Sequence, residues 1–347
     1  MIRVFIVDDS SFVRKALRRA LASASDIRVV GEARSAEEAL RLIPEADPDV
    51  VTLDVAMEGM DGLAALRGLL AWRPTLPVIM LSAHTSQGAA ATLEALSLGA
   101  VDVIDKGDFS LMDLDGLGRR AIDRIRVWKQ GRRVIDGGTT EDESLPRGLP
   151  DASESALCVI GASTGGPPAL QRLLESLPAS FPLPVVIAQH MPPGFTRPFA
   201  QRLDGLCRLR VREAIDGDRV ERGTVLIAPA GRHLRITRRM TVAISDEPAD
   251  APHRPSIDLM MSSAAHARPG KVLGILLTGM GDDGADGMAL IRAQGGIAIG
   301  ESEESCVVFG MSRAAHERGA ITHLLPLAHI AAWLAGIRPA AGVAGRR

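Results

Sequence analysis

The chain has 347 residues, 40 basic and 42 acidic side chains, a formal net charge of −2 and 46% hydrophobic residues. That length predicts two or three domains, and the hydrophobic content excludes wholesale disorder. The near-balanced charge excludes a general nucleic-acid coat, which needs a basic surface to displace counterions.

Residues 1–127 alternate β-branched runs with helical segments. Strands are expected at Ile2–Val7, Ile27–Val30, Val50–Leu53, Val78–Leu81 and Val101–Ile104. Between them, SFVRKALRRALAS and SAEEALRLIPEA repeat apolar residues at helical spacing. Five such units predict an α/β domain whose parallel sheet is covered on both faces. Residues 128–155 lose this rhythm: KQGRRVIDGGTTEDESLPRGLPDASES is rich in Gly, Pro, Ser and acids and reads as a flexible linker. Residues 156–337 resume the α/β pattern, with buried parallel strands expected at Leu157–Ile160, Pro184–Ala188 and Val272–Leu277. Asp-Gly, Arg-Gly and Ala-Gly breaks within Arg208–Ile244 predict hairpins. Residues 338–347 read as a loose tail.

In an open parallel sheet, ligands bind beyond the carboxyl ends of the strands. The first strand ends in Asp8 and Asp9, the third in Asp54, the fourth in Ser82, and the fifth in Asp105 and Lys106. A single Asp at a strand end is ordinarily a turn former or a cap. Polar groups delivered to one rim by four of five strands point to a site. Clustered carboxylates bind a hard cation such as Mg²⁺. The cation lets a phosphoryl group approach a carboxylate, and a hydroxyl and an ammonium can hold its oxygens. With IVDDS, LDVAMEGMDGL, MLSAH and VIDK in this order, residues 1–125 resemble a response-regulator receiver domain. The resemblance implies a flavodoxin-like fold with Asp54 as phospho-acceptor. It also implies Mg²⁺ on Asp8, Asp9, Asp54 and the Ala56 carbonyl, and phosphoryl contacts from Ser82 and Lys106. Departures from the family pattern are Met57-Glu58-Gly59 in place of Met-Pro, Gly107 in place of Pro, and Val103 in place of an aromatic.

In the second half, the strand at Leu157–Ile160 runs into GASTGGP and then a helical segment, LQRLLESL. A dinucleotide phosphate loop would need GxGxxG and an acid about 20 residues on. That pattern is absent, and His190 ends the next strand where the acid would stand. The competing reading is a nucleophilic Ser163 on a tight turn with His190 as its base. The strand at Val272–Leu277 leads into TGMGDDGADG, where Asp282, Asp283 and Asp286 are candidates for a third partner. Taken singly, these residues read as a helix cap, a loop histidine and a turn. Together at strand ends they read as catalytic.

The stretches GASTGGP, QHMPPGFTRPFAQRL, DGDRVERGTVLIAPAGRH, HRPSIDLMM, GILLTGMGDDGADGM and ESCVVFGMSRAA carry a further resemblance. Residues 157–335 resemble the catalytic domain of the chemotaxis protein-glutamate methylesterase (CheB) family, and the receiver–linker–esterase order matches over the full chain. The resemblance implies a doubly wound parallel-sheet esterase domain. It makes Ser163 the nucleophile, His190 the general base and Asp283 the triad acid, with Asp282 in place of the usual Asn. Thr164, Met280 and Arg197 become oxyanion or substrate groups. The implied function is a phosphorylation-activated hydrolase that removes methyl esters from chemotaxis-receptor glutamates and deamidates receptor glutamines. A chemotaxis histidine kinase would be the phosphodonor, and the esterase step would need no cofactor. The unphosphorylated receiver would cover the Ser163 cleft. The order Ser…His…Asp differs from the Ser…Asp…His of α/β-hydrolases. The alternative, a response regulator with a non-catalytic output, would usually carry a helix-turn-helix and a basic face.

Cys158, Cys207 and Cys306 are too few and scattered for a disulfide framework or a zinc site. MIRVFIVDDS does not read as a signal peptide, and no run of about 18 apolar residues predicts a membrane span. A cytoplasmic location without membrane insertion is expected. Tyr is absent, and 36 Arg stand against Lys15, Lys106, Lys129 and Lys271. An Arg-favouring genome explains the bias, so each remaining Lys is a candidate for a role Arg cannot fill.

Overall fold

A computed structural model describes residues 1–82, 86–106, 118–126, 128, 146 and 148–338. The expected linker residues 129–145 and 147, and tail residues 339–347, lie outside these. The chain divides into two compact units, Met1–Asp136 and Gly137–Arg347.

The first unit is a parallel sheet of β1 (Ile2–Val7), β2 (Ile27–Ala33), β3 (Val50–Asp54), β4 (Val78–Ser82) and β5 (Asp102–Asp105), ordered β2-β1-β3-β4-β5. Helices α1 (Ser11–Ala22), α2 (Ala36–Ala46), α3 (Gly62–Trp72) and α4 (Ser86–Leu98) connect the strands, and α5 covers 118–126. Strand order reverses direction at β1, and right-handed crossovers then place helices on both faces. Accordingly α2 packs on α3 and α3 on α4, while Gly118 of α5 lies against Ala20 of α1. Every residue of β3 and β4 is buried, as expected of strands covered on both sides. Ser10, Ser35 and Asp61 cap α1, α2 and α3 by accepting from Val13, Glu38 and Ala64 N–H groups. β2 runs beyond the expected Ile27–Val30 because Gly31, Glu32 and Ala33 continue the ladder against Phe5, Ile6 and Val7. Trp128, assigned above to the linker, is helical and buried.

The second unit is built on seven parallel strands: β6 (Leu157–Ala162), β7 (Val185–Gln189), β8 (Arg210–Glu213), β9 (Thr224–Ile227), β12 (Val272–Leu276), β13 (Ile297–Glu301) and β14 (His323–Leu325). Their order is β14-β13-β12-β6-β7-β9-β8. The chain thus winds outward from β6 in both directions. α6 (Gly166–Ser176) packs on α7 (Thr196–Leu206) and α11 (Leu327–Gly336). α8 (Ile257–Ala267) packs on α9 (Ala285–Ala293), and α9 on α10 (Met311–Glu317). Residues of β6, β7 and β12 are buried throughout. Burying each Val, Leu or Ile contributes about 1.5–3 kcal/mol, so these strands stabilise the centre of the unit. The end of the expected linker is anchored here: Ala156 N–H donates to Lys271 O (2.8 Å) and Lys271 Nζ pairs with Glu154 (3.1 Å).

The hairpin expectation for 208–244 needs correction. Gly217, Gly223 and Gly231 do turn the chain, with φ of 83°, 79° and 82°. However, β8 and β9 lie parallel, because β9 adds to the sheet against β7. Among the described residues the antiparallel ladder is β10 (His233–Ile236) with β11 (Val242–Ser245), closed across Thr237–Thr241 rather than at an Xaa-Gly pair. No described helix is long and apolar enough to cross a membrane.

Gly62 opens α3 where the chain returns to the end of β3. A Cβ there would stand 2.1 Å from the Asp54 carbonyl oxygen. Gly62→Ala is therefore expected to destabilise the first unit by about 1–3 kcal/mol through overpacking, read as a lower midpoint in its denaturant unfolding.

Candidate functional site

In the first unit the strand ends converge as the sequence suggests. Asp8, Asp54 and Ser82 are buried and Asp9 is exposed. Lys106 Nζ lies 2.7 Å from Asp54 and 3.1 Å from Asp8. Asp8 accepts from Ser10 N–H at 2.9 Å and Asp54 from Ala56 N–H at 3.3 Å. Carboxylate oxygens of Asp8, Asp9 and Asp54 fall within 4.8 Å of one another. Burial pushes the Asp8 carboxyl up to about 6 against the pull of Lys106. Burial likewise raises Asp54, again opposed by Lys106. Burial acts downward on Lys106, but the Asp8 and Asp54 charges outweigh it and its pKa rises. Three clustered acids, two of them buried and paired with one ammonium, suit a hard divalent cation, which would favour their ionised forms.

In the second unit, Ser163, His190 and Asp283 follow β6, β7 and β12, three neighbours in the sheet with β6 in the middle. His190 Nδ1 lies 3.2 Å from Ser163 Oγ, and His190 Nε2 lies 2.8 Å from Asp283 Oδ2. Gly165, at φ 77°, turns the chain from Ser163 into α6, where Val307 leaves no room for a side chain. The helix start beyond it favours negative charge near Ser163.

Asp283 is held by the start of α8. It accepts from Ser256 Oγ (3.1 Å), Ile257 N–H (2.8 Å) and Asp258 N–H (2.9 Å). Burial pushes its carboxyl up, but the His190 hydrogen bond and charge, with these backbone donors, outweigh burial and bring it down to about 2. An ionised carboxylate can only accept, so Nε2 carries the imidazole proton and Nδ1 turns its lone pair to Ser163. Asp282 and Asp286, the other candidates, point to Arg318 at 2.5 and 2.6 Å. The one Arg318 guanidinium thus pairs with both carboxylates.

Gly279 leaves room beside Ser163, since a Cβ there would lie 2.7 Å from Ser163 Cβ. Met280 follows with its side chain exposed. Thr164 is buried, and its carbonyl accepts from Thr278 Oγ1 at 2.9 Å. Arg197 is exposed in the first turn of α7 and does not belong to this hydrogen-bonded set.

Three supporting groups escaped sequence reasoning. His253 stacks on His190, centroids 4.3 Å apart and rings 22° from parallel. Ser256 both caps α8 and donates to Asp283. Glu301, fully buried, accepts from Thr278 N–H at 2.8 Å and Ser305 Oγ at 2.9 Å. Only Ser256 left a signal, a cap residue before a helical run.

The sequence matches the CheB methylesterase family model over residues 158–334 and the response regulator receiver domain model over residues 4–115. It is 40% identical to the protein-glutamate methylesterase/protein-glutamine glutaminase 2 of Nitratidesulfovibrio vulgaris, covering 96% of this chain and 98% of that one. It is 41% identical to the protein-glutamate methylesterase/protein-glutamine glutaminase of Archaeoglobus fulgidus, covering 95% and 96%. The crystal structure of the Thermotoga maritima CheB methylesterase catalytic domain is similar with a TM-score of 0.50 and 40% identity, covering 52% of this chain and 97% of that one.

A carboxyl lowered from 3.8 to about 2 on folding stabilises the folded chain above pH 4, and that contribution is lost as pH falls toward 2. Asp283→Asn should therefore lower the thermal midpoint at pH 7, with the gap to the native protein closing between about pH 4 and pH 2.

Proposed function

We propose that this chain, which belongs to the CheB methylesterase family and carries a response regulator receiver domain ahead of its esterase domain, hydrolyses glutamate γ-methyl esters with Ser163 as nucleophile, His190 as general base and Asp283 as the acid that orients it. The chain is a phosphorylation-regulated protein-glutamate methylesterase and protein-glutamine glutaminase. The observation that carries the residue assignment is the unbroken line from Ser163 Oγ through the His190 ring to Asp283, at 3.2 and 2.8 Å.

In the first half-reaction Ser163 Oγ attacks the ester carbonyl carbon as His190 Nδ1 takes its proton. The imidazolium is stabilised through Nε2–H by the Asp283 carboxylate, whose two backbone donors and Ser256 keep it ionised. Such a base contributes typically about 10²–10⁴-fold. The oxyanion forms beside the Gly279–Met280 and Thr164 backbone, and a single N–H donor there is worth roughly 10²–10³ in rate. Collapse breaks the carbon–methoxy bond, His190 returns its proton to the leaving oxygen, and methanol departs. Water then attacks the acyl-serine as His190 takes its proton. Collapse breaks the acyl carbon–Oγ bond, His190 returns the proton to Ser163 Oγ, and the glutamate product ionises to its carboxylate by losing a proton to solvent. A glutamine side chain follows the same course with ammonia as leaving group. Arg197, exposed at the start of α7, is proposed to meet the acidic receptor segment.

Asp54 is proposed as phospho-acceptor, with Asp8, Asp9, Asp54 and the Ala56 carbonyl holding Mg²⁺. A cation held by these residues would neutralise carboxylate charge and so let a phosphoryl group approach Asp54. Ser82 and Lys106 are the hydroxyl and ammonium for its oxygens. A chemotaxis histidine kinase is the proposed phosphodonor, chemotaxis receptors the proposed substrates, and the cytoplasm the proposed site of action. The receiver is proposed to hold the esterase back until Asp54 is phosphorylated.

Methanol release from methylated receptor tests the reading. Ser163→Ala should abolish it, whereas retained release would favour a non-catalytic output. Asp54→Ala should keep the basal rate and lose stimulation by a small phosphodonor. Mg²⁺ titration followed by calorimetry should show weaker binding in Asp9→Asn. Because Asp8 must ionise to bind a cation and its carboxyl sits at about 6, affinity should also fall as pH drops below about 6.

A further inference from the structure

Gln189, the last residue of β7, has no part in the proton transfers, yet its side chain lies between the two residues that exchange the proton. It is only 1% exposed. Its Nε2 donates to the main-chain carbonyl of Ser163 and to that of His190, each at 2.9 Å. Both partners are acceptors, so an amide nitrogen with two N–H groups suits the position, whereas a carboxylate does not.

Nucleophile and base each stand one residue past the last paired residues of the β6–β7 ladder, Ala162 and Gln189. The sheet holds their N–H groups, His190 on Ala162 O and Ser163 on Thr278 O, each at 3.0 Å, so what the amide adds is a tie between their two carbonyls. At 3.2 Å, the His190 Nδ1 to Ser163 Oγ contact is long for a hydroxyl donor. A small slide of one strand end against the other would open it.

The neighbouring glycine is shaped to this amide. A Cβ at Gly166 would stand 2.0 Å from Gln189 Oε1, 2.9 Å from its Cδ and 2.9 Å from Ala162 Cβ. Gly166 begins α6 and its N–H donates to Ser163 O at 2.8 Å. Oε1 meets no hydrogen-bond donor among the described residues. Burying an amide oxygen in this way costs stability, so the two bonds from Nε2 carry the position.

We infer that Gln189 is a positioning residue of the esterase, an amide clamp that sets the separation of Ser163 and His190 by binding both main chains. Gly166 lacks a side chain to make room for it. The inference rests on the proposed triad.

The test uses the full chain and methanol release from methylated receptor, with thermal unfolding recorded for each variant. Gln189→Leu replaces the amide with a branched apolar side chain of comparable volume and removes both donors. It should lower kcat roughly 10–100-fold, the scale of a misplacement near 1 Å, with KM within about twofold, because substrate binding does not use the clamp. Gly166→Ala should push the amide aside and lower kcat similarly. Combined with Gln189→Ala the loss should shrink without vanishing, because the amide is gone while the contact with Ala162 Cβ remains. If Gln189→Leu unfolds, this cycle carries the test. A Gln189→Leu kcat within about twofold of native, or a Gly166→Ala loss undiminished in the Gln189→Ala background, overturns the clamp. Turnover retained in Ser163→Ala overturns the triad instead, which separates failure of that reading from failure of this one.

Discussion

The chemistry of the second unit depends on one buried charge. Asp283 is out of water, which by itself would neutralise it. It remains ionised because two backbone N–H groups at the start of α8, the Ser256 hydroxyl and the His190 ring all donate to it. That charge in turn decides the histidine tautomer, and the tautomer decides that a lone pair rather than a proton faces Ser163. The sheet supplies the remaining condition. Because β6 lies between β12 and β7, a serine, a histidine and an aspartate that follow these strands meet without any long loop to place them.

The first unit solves the opposite problem with the same residue type. Burial raises both Asp8 and Asp54, helped by the charge of Asp54 on Asp8 and of Asp9 on Asp54. Lys106 offsets part of this from 2.7 and 3.1 Å. A pocket left short of positive charge is suited to a cation and then to a phosphoryl group, whereas the saturated carboxylate of Asp283 is suited to neither. The scarcity of Lys acquires meaning at this point. A compact ammonium reaches two carboxylates at once, while the wide guanidinium fork of Arg fits such a corner poorly. Lys271 has a humbler role, pairing with Glu154 where the chain enters the second unit.

Much of the architecture was legible beforehand. Strand and helix runs fell within a few residues of their final bounds, since apolar periodicity reports burial directly. Ser163, His190, Asp8, Asp54 and Lys106 were legible because strand-end position alone brings them to a rim. The hairpins expected at Asp-Gly, Arg-Gly and Ala-Gly were not found there. Those glycines record turns, but which strand pairs with which is settled by the vacant edge of β7, far away in the chain. Choosing among Asp282, Asp283 and Asp286 rested on family resemblance, and the structure adds a physical reason: two of the three face Arg318.

The sequence by itself determined the order of elements, the residue types at the strand ends and hence the two kinds of chemistry. It determined these because periodicity and turn residues act locally. Tertiary structure decided which groups tune that chemistry. Ser256 and His253 come from a segment far from both His190 and Asp283, and His190 is itself 93 residues from Asp283. Gln189 adjoins His190 in the chain, yet its reach to Ser163 exists only across paired strands. A hydrogen bond depends on distance and direction in space, and a residue's neighbours along the chain specify neither once the partner arrives from another strand or helix.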